Sequence, residues 1–166
     1  MGLDMYLNVS QRIESHDYSK GHSEINRTEN PKYNAIVETV GMKVRDNIAA
    51  SVAVEYTAIY WRKANQIHGW FVNTLADGVD ECQRIRVGRD DLVNLHRICG
   101  HLIDTRSTEL ANELLPPTPG FFFGGYDIDE YYWQDIEETH EQLTELIDEI
   151  TEDNRWNYSI EYQASW

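Results

Sequence analysis

The sequence predicts an α+β domain, with an antiparallel or mixed sheet of about four or five strands and helices packed mainly on one face. Three observations predict this class. Two long aromatic-rich segments, one in mid-chain and one at the end, alternate like strands. Several segments between them place apolar residues at helical spacing. The elements do not follow a regular βα alternation, which favours α+β over a parallel α/β sheet.

Length and composition predict one domain, residues 1–166, with a single core, since 41% of the 166 residues are hydrophobic. Asp and Glu number 29 against 14 Lys and Arg, which argues against direct nucleic-acid binding because phosphate contacts need basic patches. Two cysteines make no disulfide framework. The chain shows neither a signal-peptide pattern nor a long apolar run. We therefore expect a cytoplasmic protein without membrane contact.

The first half of the chain contains two predicted strands separated by a polar region. Leu3 to Val9 alternates as a strand, and residues 10–35 are turn-rich and polar, which predicts a loop or arm. The segment "SVAVEYTAIYW", Ser51 to Trp61, is the strongest strand pattern and is predicted to be central. The preceding "IVETVGMKV" is interpreted as its hairpin partner.

The second half is mainly helical. A helix is predicted after Trp61, ending near "ADG", and "QRIRV" is predicted to be a short strand. Two helices follow, "GRDDLVNLHRICGHLID" and "STELANELL", and the prolines of "PPTPG" end the second one. An acidic helix is predicted between Asp127 and Asp153. A closing strand from Trp156 to Ser165 is predicted to pair in the same sheet as the central strand.

The stretch "YWRKANQIHGWF" places two cations, Arg62 and Lys63, where a helix is predicted to begin. Cations are disfavoured at this positive end of the helix dipole, whereas free backbone N–H groups attract anions there. We therefore predict an anion site, with ion pairing to the chain's many carboxylates as the alternative. Neighbouring side chains predicted to contribute are Tyr60 and Trp61 by stacking, together with Asn65 and His68. His68 lies on an apolar helix face, which favours a hydrogen-bonded core residue over a base.

The stretch "LLPPTPGFFFGGYD" is the second candidate. Three successive Phe residues cannot all face one core from an extended segment, and glycine lets the backbone approach a ligand. Phe121, Phe122, Phe123 and Gly124 are therefore predicted to belong to the ligand site. A loop that plugs the core between two helices is the alternative.

Motifs for catalysis or metal binding are missing from the sequence. "HRICGH" holds His96, Cys99 and His101, but no matching Cys/His pair follows, which argues against a zinc site. No P-loop, GxSxG or GxGxxG motif is present. We predict no catalytic residue, no metal and no cofactor, and the sequence favours a non-enzymatic role.

The segment Asp127 to Asp153 carries twelve of the acidic residues and no Lys or Arg. A helix with so much like charge is either a solvated face or a surface for a basic partner. The carboxylates predicted to meet such a partner are Glu138, Glu141, Glu145 and Glu149.

Six segments together resemble a family of uncharacterised short proteins of bacteriophage genomes and prophages. They are "GLDMYL", "YWRKANQIHGWF", "DGVDEC", "LLPPTPGFFFG", "YDIDEYYWQDI" and "YQASW". The resemblance covers most of the chain outside roughly residues 10–50. Some members carry a phosphoglycerate kinase label. This sequence contradicts that label, because such kinases are much longer two-domain proteins and their nucleotide-binding organisation is not visible here.

Phage membership implies a protein that redirects or disarms host machinery. The first expectation is an accessory protein that binds a small anionic ligand, for example a host nucleotide signal that it sequesters as an anti-defence factor. The second is an acidic inhibitor that blocks a basic, nucleic-acid-binding surface of a host protein. The third is an enzyme acting on nucleotides, with His68 as its base. Homo-oligomerisation is left open by the sequence.

Overall fold

The computed structural model describes residues 2–17, 28–44 and 50–166. The chain divides into two compact units. The first comprises Met1–Val9 with Tyr56–Trp166, and the second is Ser10–Glu55. The expectation of a single domain stays a prediction.

The elements alternate irregularly along the chain, as the predicted class requires. The strands are β1 (Asp4–Glu14), β2 (His16–Asp17), β3 (Thr28–Glu29), β4 (Ser51–Arg62), β5 (Ile85–Val87) and β6 (Tyr158–Ser165). The helices are α1 (Pro31–Val40), α2 (Asn65–Leu75), α3 (Arg89–Thr105), α4 (Thr108–Leu114) and α5 (Glu130–Glu149). A 3₁₀ turn at Arg155–Asn157 precedes β6.

The main sheet has four strands in the order β4-β1-β6-β5. β5 and β6 are antiparallel, with Arg86 opposite Glu161. An antiparallel sheet with helices confirms the predicted α+β class, and the closing strand does pair within this sheet. It begins at Tyr158, because Trp156 and Asn157 lie in the 3₁₀ turn.

The prediction that β4 is central was wrong, because β4 forms an edge of the sheet. β1 takes a central place beside β6. Its inward residues Met5, Leu7 and Val9, together with Leu3 just before the strand, are completely buried, at 0% exposure. β4 keeps large side chains in solvent, with Tyr60 47% exposed. Alternation alone therefore does not separate an edge strand from a central one.

The core of the first unit lies between one face of the sheet and the helices. The prediction of helices after Trp61, after β5 and before "PPTPG" is confirmed. In α5 the helix begins at Glu130, because Asp129 accepts hydrogen bonds from the N–H groups of Tyr131 and Tyr132 as its N-cap. The buried residues that join the sheet to the helices include Ile59, Trp61, Ile67, Phe71, Leu95, Leu102, Ile136, Leu143, Ile160 and Tyr162.

The second unit contains the short antiparallel pair β2–β3 and the helix α1. The interpretation of "IVETVGMKV" as a hairpin partner of β4 was wrong, since its first half completes α1. Asn30 caps this helix by accepting from the Lys32 N–H, Pro31 occupies its first turn, and Gly41 ends it with a left-handed φ of 66°. Asn30, Pro31 and Gly41 are sequence signals for the two ends of a helix. Here they predict the structure better than the β-branched residues, which favour a strand.

The predicted arm at 10–35 is only partly described. Residues 18–27 of it lie outside the described residues, and β1 continues through Glu14 into its beginning.

Candidate functional site

Arg62 and Lys63 lie at the junction between β4 and α2. The prediction that they open the helix was wrong: Arg62 ends β4, Ala64 is the N-cap and α2 begins at Asn65. Lys63 has a left-handed φ of 63°, which is uncommon for a residue with a side chain. Its N–H donates to the Leu3 carbonyl at 2.8 Å, so the sharp turn is fixed to the residue that precedes β1.

The two cations are poorly paired. The Arg62 side chain is 63% exposed, and its Nε lies 4.0 Å from Asp4 Oδ1, at the outer limit of an ion pair. Among the residues that the structure describes, no carboxylate lies within ion-pair distance of Lys63. Pairing within the chain therefore accounts weakly for Arg62 and leaves Lys63 without a described counter-charge.

Both residues line a cleft of about 440 Å³, which we call the Lys63 cleft. Its walls come from the β4–α2 junction, the loop before α5 and the first turns of α5. Two of the predicted site residues, Asn65 and Gly124, line it as well. The remaining lining residues are Gln66, Pro117, Gly125, Asp127, Asp129, Tyr131, Tyr132 and Asp135.

Asn65 fixes the loop of residues 117–125 that forms one wall of the Lys63 cleft. Asn65 is 3% exposed. It donates to the carbonyls of Phe123 at 3.1 Å and Gly125 at 2.8 Å, and its Oδ1 accepts from the Thr118 N–H at 2.8 Å. Three hydrogen bonds from one buried side chain hold the loop against the helix start.

Gly124 allows this loop to approach Lys63. Its φ of 101° is one that residues with side chains rarely adopt. An added Cβ would lie 3.3 Å from both the Lys63 Cβ and the Lys63 carbonyl oxygen. The close approach described here is to Lys63, and the predicted approach of Gly124 to a ligand stays a prediction.

Asp135 places a desolvated carboxyl group in the Lys63 cleft. Burial raises the pKa of Asp135 to about 6, and a hydrogen bond from Gln66 opposes this rise in part. The Gln66 Nε2 donates to Asp135 Oδ2 at 3.1 Å, and Gln66 itself is buried. A carboxyl with a perturbed pKa in a cleft is a marker of functional sites. The cleft thus presents cations on one wall and hydrogen-bond acceptors on another.

The three phenylalanines line a second cavity, the apolar pocket, of about 450 Å³. Phe123 is 6% exposed and packs edge-on against His68, with ring centroids 5.0 Å apart, whereas Phe121 is 93% exposed. The structure therefore divides the predicted site. Arg62, Lys63, Asn65 and Gly124 line the Lys63 cleft, and His68 with the phenylalanines lines the apolar pocket.

His68 is a buried, fully hydrogen-bonded residue, as its place on an apolar helix face suggested. It is 1% exposed. Its Nδ1 lies 2.7 Å from the Tyr162 hydroxyl and its Nε2 lies 3.0 Å from Asp80 Oδ2. Because both ring nitrogens are occupied by the protein, neither is directed at a ligand.

Tyr60 and Trp61 line neither the Lys63 cleft nor the apolar pocket, so their predicted stacking role has no support from the geometry. Trp61 points into the core, where its indole N–H donates to Thr139 at 2.9 Å. Tyr60 points to the other side of the sheet, where its hydroxyl donates to Asp4 and its ring packs 5.4 Å from Tyr6. Successive strand residues point to opposite faces, which separates these two rings.

The four glutamates predicted to form an acidic surface are exposed along α5. Glu138 accepts from Gln134, and Glu149 accepts from the Tyr56 hydroxyl. For Glu141 and Glu145 the described residues provide no hydrogen-bond or ion-pair partner.

Sequence reasoning missed the acidic wall of the Lys63 cleft. Asp127, Asp129 and Asp135 were counted only as part of a charged helix. The run "DIDEYYW" does carry a signal, because an Asp before a helical pattern is an N-cap candidate and fixes which residues follow it on the first turn. Burial of Asp135 depends on the loop packed against α2, and no local pattern reveals it.

Comparison with protein-family models, with curated proteins and with solved structures finds no match for this chain. The phage resemblance therefore stays a prediction. Of the helices described, none combines the length and the apolar composition needed to cross a bilayer. In the described ranges, no group of three or more His, Cys, Asp or Glu side chains is arranged to hold a metal ion.

Proposed function

We propose that the protein binds a small anionic ligand in the Lys63 cleft. The observation that carries this proposal is the position of Arg62 and Lys63, two poorly paired cations at a cleft that also holds the desolvated Asp135. Unpaired cations in a strongly acidic chain favour occupation by an anion from outside the chain. The cleft volume lies in the range of small-molecule sites.

The mixed polarity of the cleft favours a ligand with two kinds of groups. A phosphate or carboxylate would meet the Arg62 guanidinium and the Lys63 ammonium. Amino groups of the same ligand would donate to Asp135 or Asp129, which are acceptors when ionised. A purely anionic ligand would be repelled by that wall. A nucleotide, with phosphates at one end and an amino-bearing base at the other, meets both requirements.

The proposed biological role is that of a phage accessory protein that sequesters a host nucleotide signal. The support for this role is the resemblance of the six sequence segments to phage proteins. The test is native mass spectrometry of the protein taken directly from the host cell. We expect an additional mass that matches a nucleotide and is retained under gentle ionisation.

The double variant Arg62→Ala/Lys63→Ala should lose this additional mass. Arg97→Ala removes a cation on the exposed surface of α3, where Arg97 donates to Asn94 and has no ion pair with any residue that the structure describes. It serves as the matched control that keeps the ligand. If the double variant and the control retain the ligand equally, the ligand is not bound through these cations.

A second candidate function is acidic inhibition of a basic host surface. The observation that favours it is the exposed row of α5 glutamates, of which Glu141 and Glu145 have no partner among the described residues. Co-purification of a basic protein, in place of a nucleotide, would support this function. No base is proposed for the enzymatic alternative, since both ring nitrogens of His68 are already bonded.

A further inference from the structure

A third cavity gathers arginines that lie far apart in the sequence. Arg86 comes from β5, Arg89 is the first residue of α3, and Arg155 lies in the 3₁₀ turn before β6. They line a pocket of about 280 Å³ together with Trp156 and Tyr158, which we call the arginine pocket. Three of the fourteen basic residues of a chain with net charge −15 therefore meet at one place.

The charges of the arginine pocket are only partly balanced. The Glu152 carboxylate contacts two guanidinium groups, lying 2.9 Å from Arg89 Nη1 and 3.2 Å from Arg155 Nη1. Asp90 is 3.6 Å from Arg155 and 80% exposed. The side chains of Glu152 and Asp90 are both largely exposed. Ion pairs formed by exposed carboxylates contribute little to stability.

Donor capacity remains after these contacts. The Arg155 Nε is enclosed and lacks a hydrogen-bond partner among the described residues, which is costly for a buried donor. Arg86 is exposed, and no described carboxylate lies within ion-pair distance of it. The pocket thus holds more cationic donors than the described carboxylates satisfy.

We infer that the arginine pocket is a second anion site, distinct from the Lys63 cleft, which takes the phosphate group of a small phosphate monoester. Arginine guanidinium groups match the oxygens of a phosphate in a fork-like geometry. Glu152 holds the position between Arg89 and Arg155 that the phosphate takes, so its carboxylate competes with the ligand. Trp156 is 81% exposed beside Arg155, whose guanidinium lies 4.6 Å from its ring centroid, and it offers a surface to an aromatic substituent.

The size of the pocket limits the ligand. A volume of about 280 Å³ admits a phosphate and one ring. The proposed occupant, a small molecule with a terminal phosphate, fits this volume.

Calorimetric titration with phenyl phosphate and with inorganic phosphate at pH 8, where the monoester is a dianion, tests the inference. We expect a dissociation constant for phenyl phosphate below about 1 mM. Arg155→Gln should weaken this binding about tenfold or more, the loss expected for a charge-assisted hydrogen bond. Arg97→Gln, with the same change in net charge, should leave it unchanged.

Glu152→Gln supplies an opposite expectation. Removal of the competing carboxylate should tighten phenyl phosphate binding about threefold or more. Glu145→Gln is the matched control, since Glu145 is exposed on α5 away from the arginine pocket. Arg62→Gln should not change the affinity, which separates this site from the Lys63 cleft.

Three results would overturn the inference. They are binding weaker than about 1 mM, equal effects of Arg155→Gln and Arg97→Gln, or a Glu152→Gln variant that binds no more tightly than Glu145→Gln. Circular dichroism reports whether each variant folds. If Arg155→Gln does not fold, Arg86→Gln replaces it, because the exposed Arg86 side chain is not needed for packing.

Discussion

At the scale of single residues, Asn65 is the one on which the Lys63 cleft depends most. Replacing it with Ala would remove three hydrogen bonds and leave a half-buried N–H and two carbonyls of the 117–125 loop without their partner. We expect the free energy of unfolding to fall by about 2–4 kcal/mol. Urea denaturation measures this change. Asn112→Ala, at an exposed asparagine that donates to the Thr108 carbonyl of its own helix, should cost far less. Equal costs would show that Asn65 does not hold the loop.

Gly124 and Gly125 form a matched pair within the same loop. Gly124→Ala should lower the free energy of unfolding by about 1–2 kcal/mol, because its φ is left-handed and its Cβ would press on Lys63. Gly125→Ala should be nearly neutral, since an added Cβ meets nothing within 4 Å. Thermal unfolding of the two variants gives the comparison. A larger loss for Gly125→Ala would contradict the backbone geometry described.

Asp135 gives a pH dependence with a defined sign. Its pKa in the folded protein, about 6, lies above the value of an unfolded aspartate, so the folded state binds this proton more tightly. The stabilisation that this bound proton gives the folded state is complete below pH ~4 and is lost as pH rises through about 6. The free energy of unfolding of Asp135→Asn should therefore exceed that of the unmodified protein by about 1–3 kcal/mol at pH 7.5. This difference should vanish near pH 4. Urea titrations at the two pH values test this, and a gain independent of pH would exclude Asp135 as the source.

At the scale of elements, the long periodic segments could be predicted and their placement could not. The helices α2, α3 and α5 follow from apolar spacing, and β6 from alternation, because these signals are local. α1 was missed although Asn30, Pro31 and Gly41 mark its two ends. The edge position of β4 was missed because strand order depends on which faces the whole sheet buries. The Lys63 cleft was predicted on its cationic side alone, since the burial of Asp135 is a tertiary effect.

The acidic surface of α5 decides between the two candidate functions at this scale. Changing Glu138, Glu141, Glu145 and Glu149 together to Gln relieves repulsion along the helix, although it weakens the Tyr56–Glu149 bond. If ligand binding is the function, the folded variant should keep full nucleotide affinity and the full phage phenotype. Calorimetry and a phage growth assay measure the two quantities. Loss of the phenotype with intact nucleotide affinity would instead favour acidic inhibition.

At the scale of the whole molecule, the net negative charge disfavours binding of an anion, whereas the cations of the Lys63 cleft favour it. A chain with net charge −15 repels anions at long range, so an anionic ligand must be held by local contacts. In the proposed function, Arg62 and Lys63 provide these contacts. The ligand would then supply the counter-charge that the described carboxylates leave open at Lys63.

The most direct test of nucleotide binding at the Lys63 cleft is a calorimetric titration of the protein with a panel of mononucleotides and dinucleotides at physiological ionic strength. Nucleotide binding at this cleft requires saturable binding of at least one nucleotide. It also requires that Arg62→Ala weaken this binding by about 1.5–3 kcal/mol, while Arg97→Ala does not. Unchanged affinity in a folded Arg62→Ala variant, or no binding of any nucleotide by the unmodified protein, would contradict it.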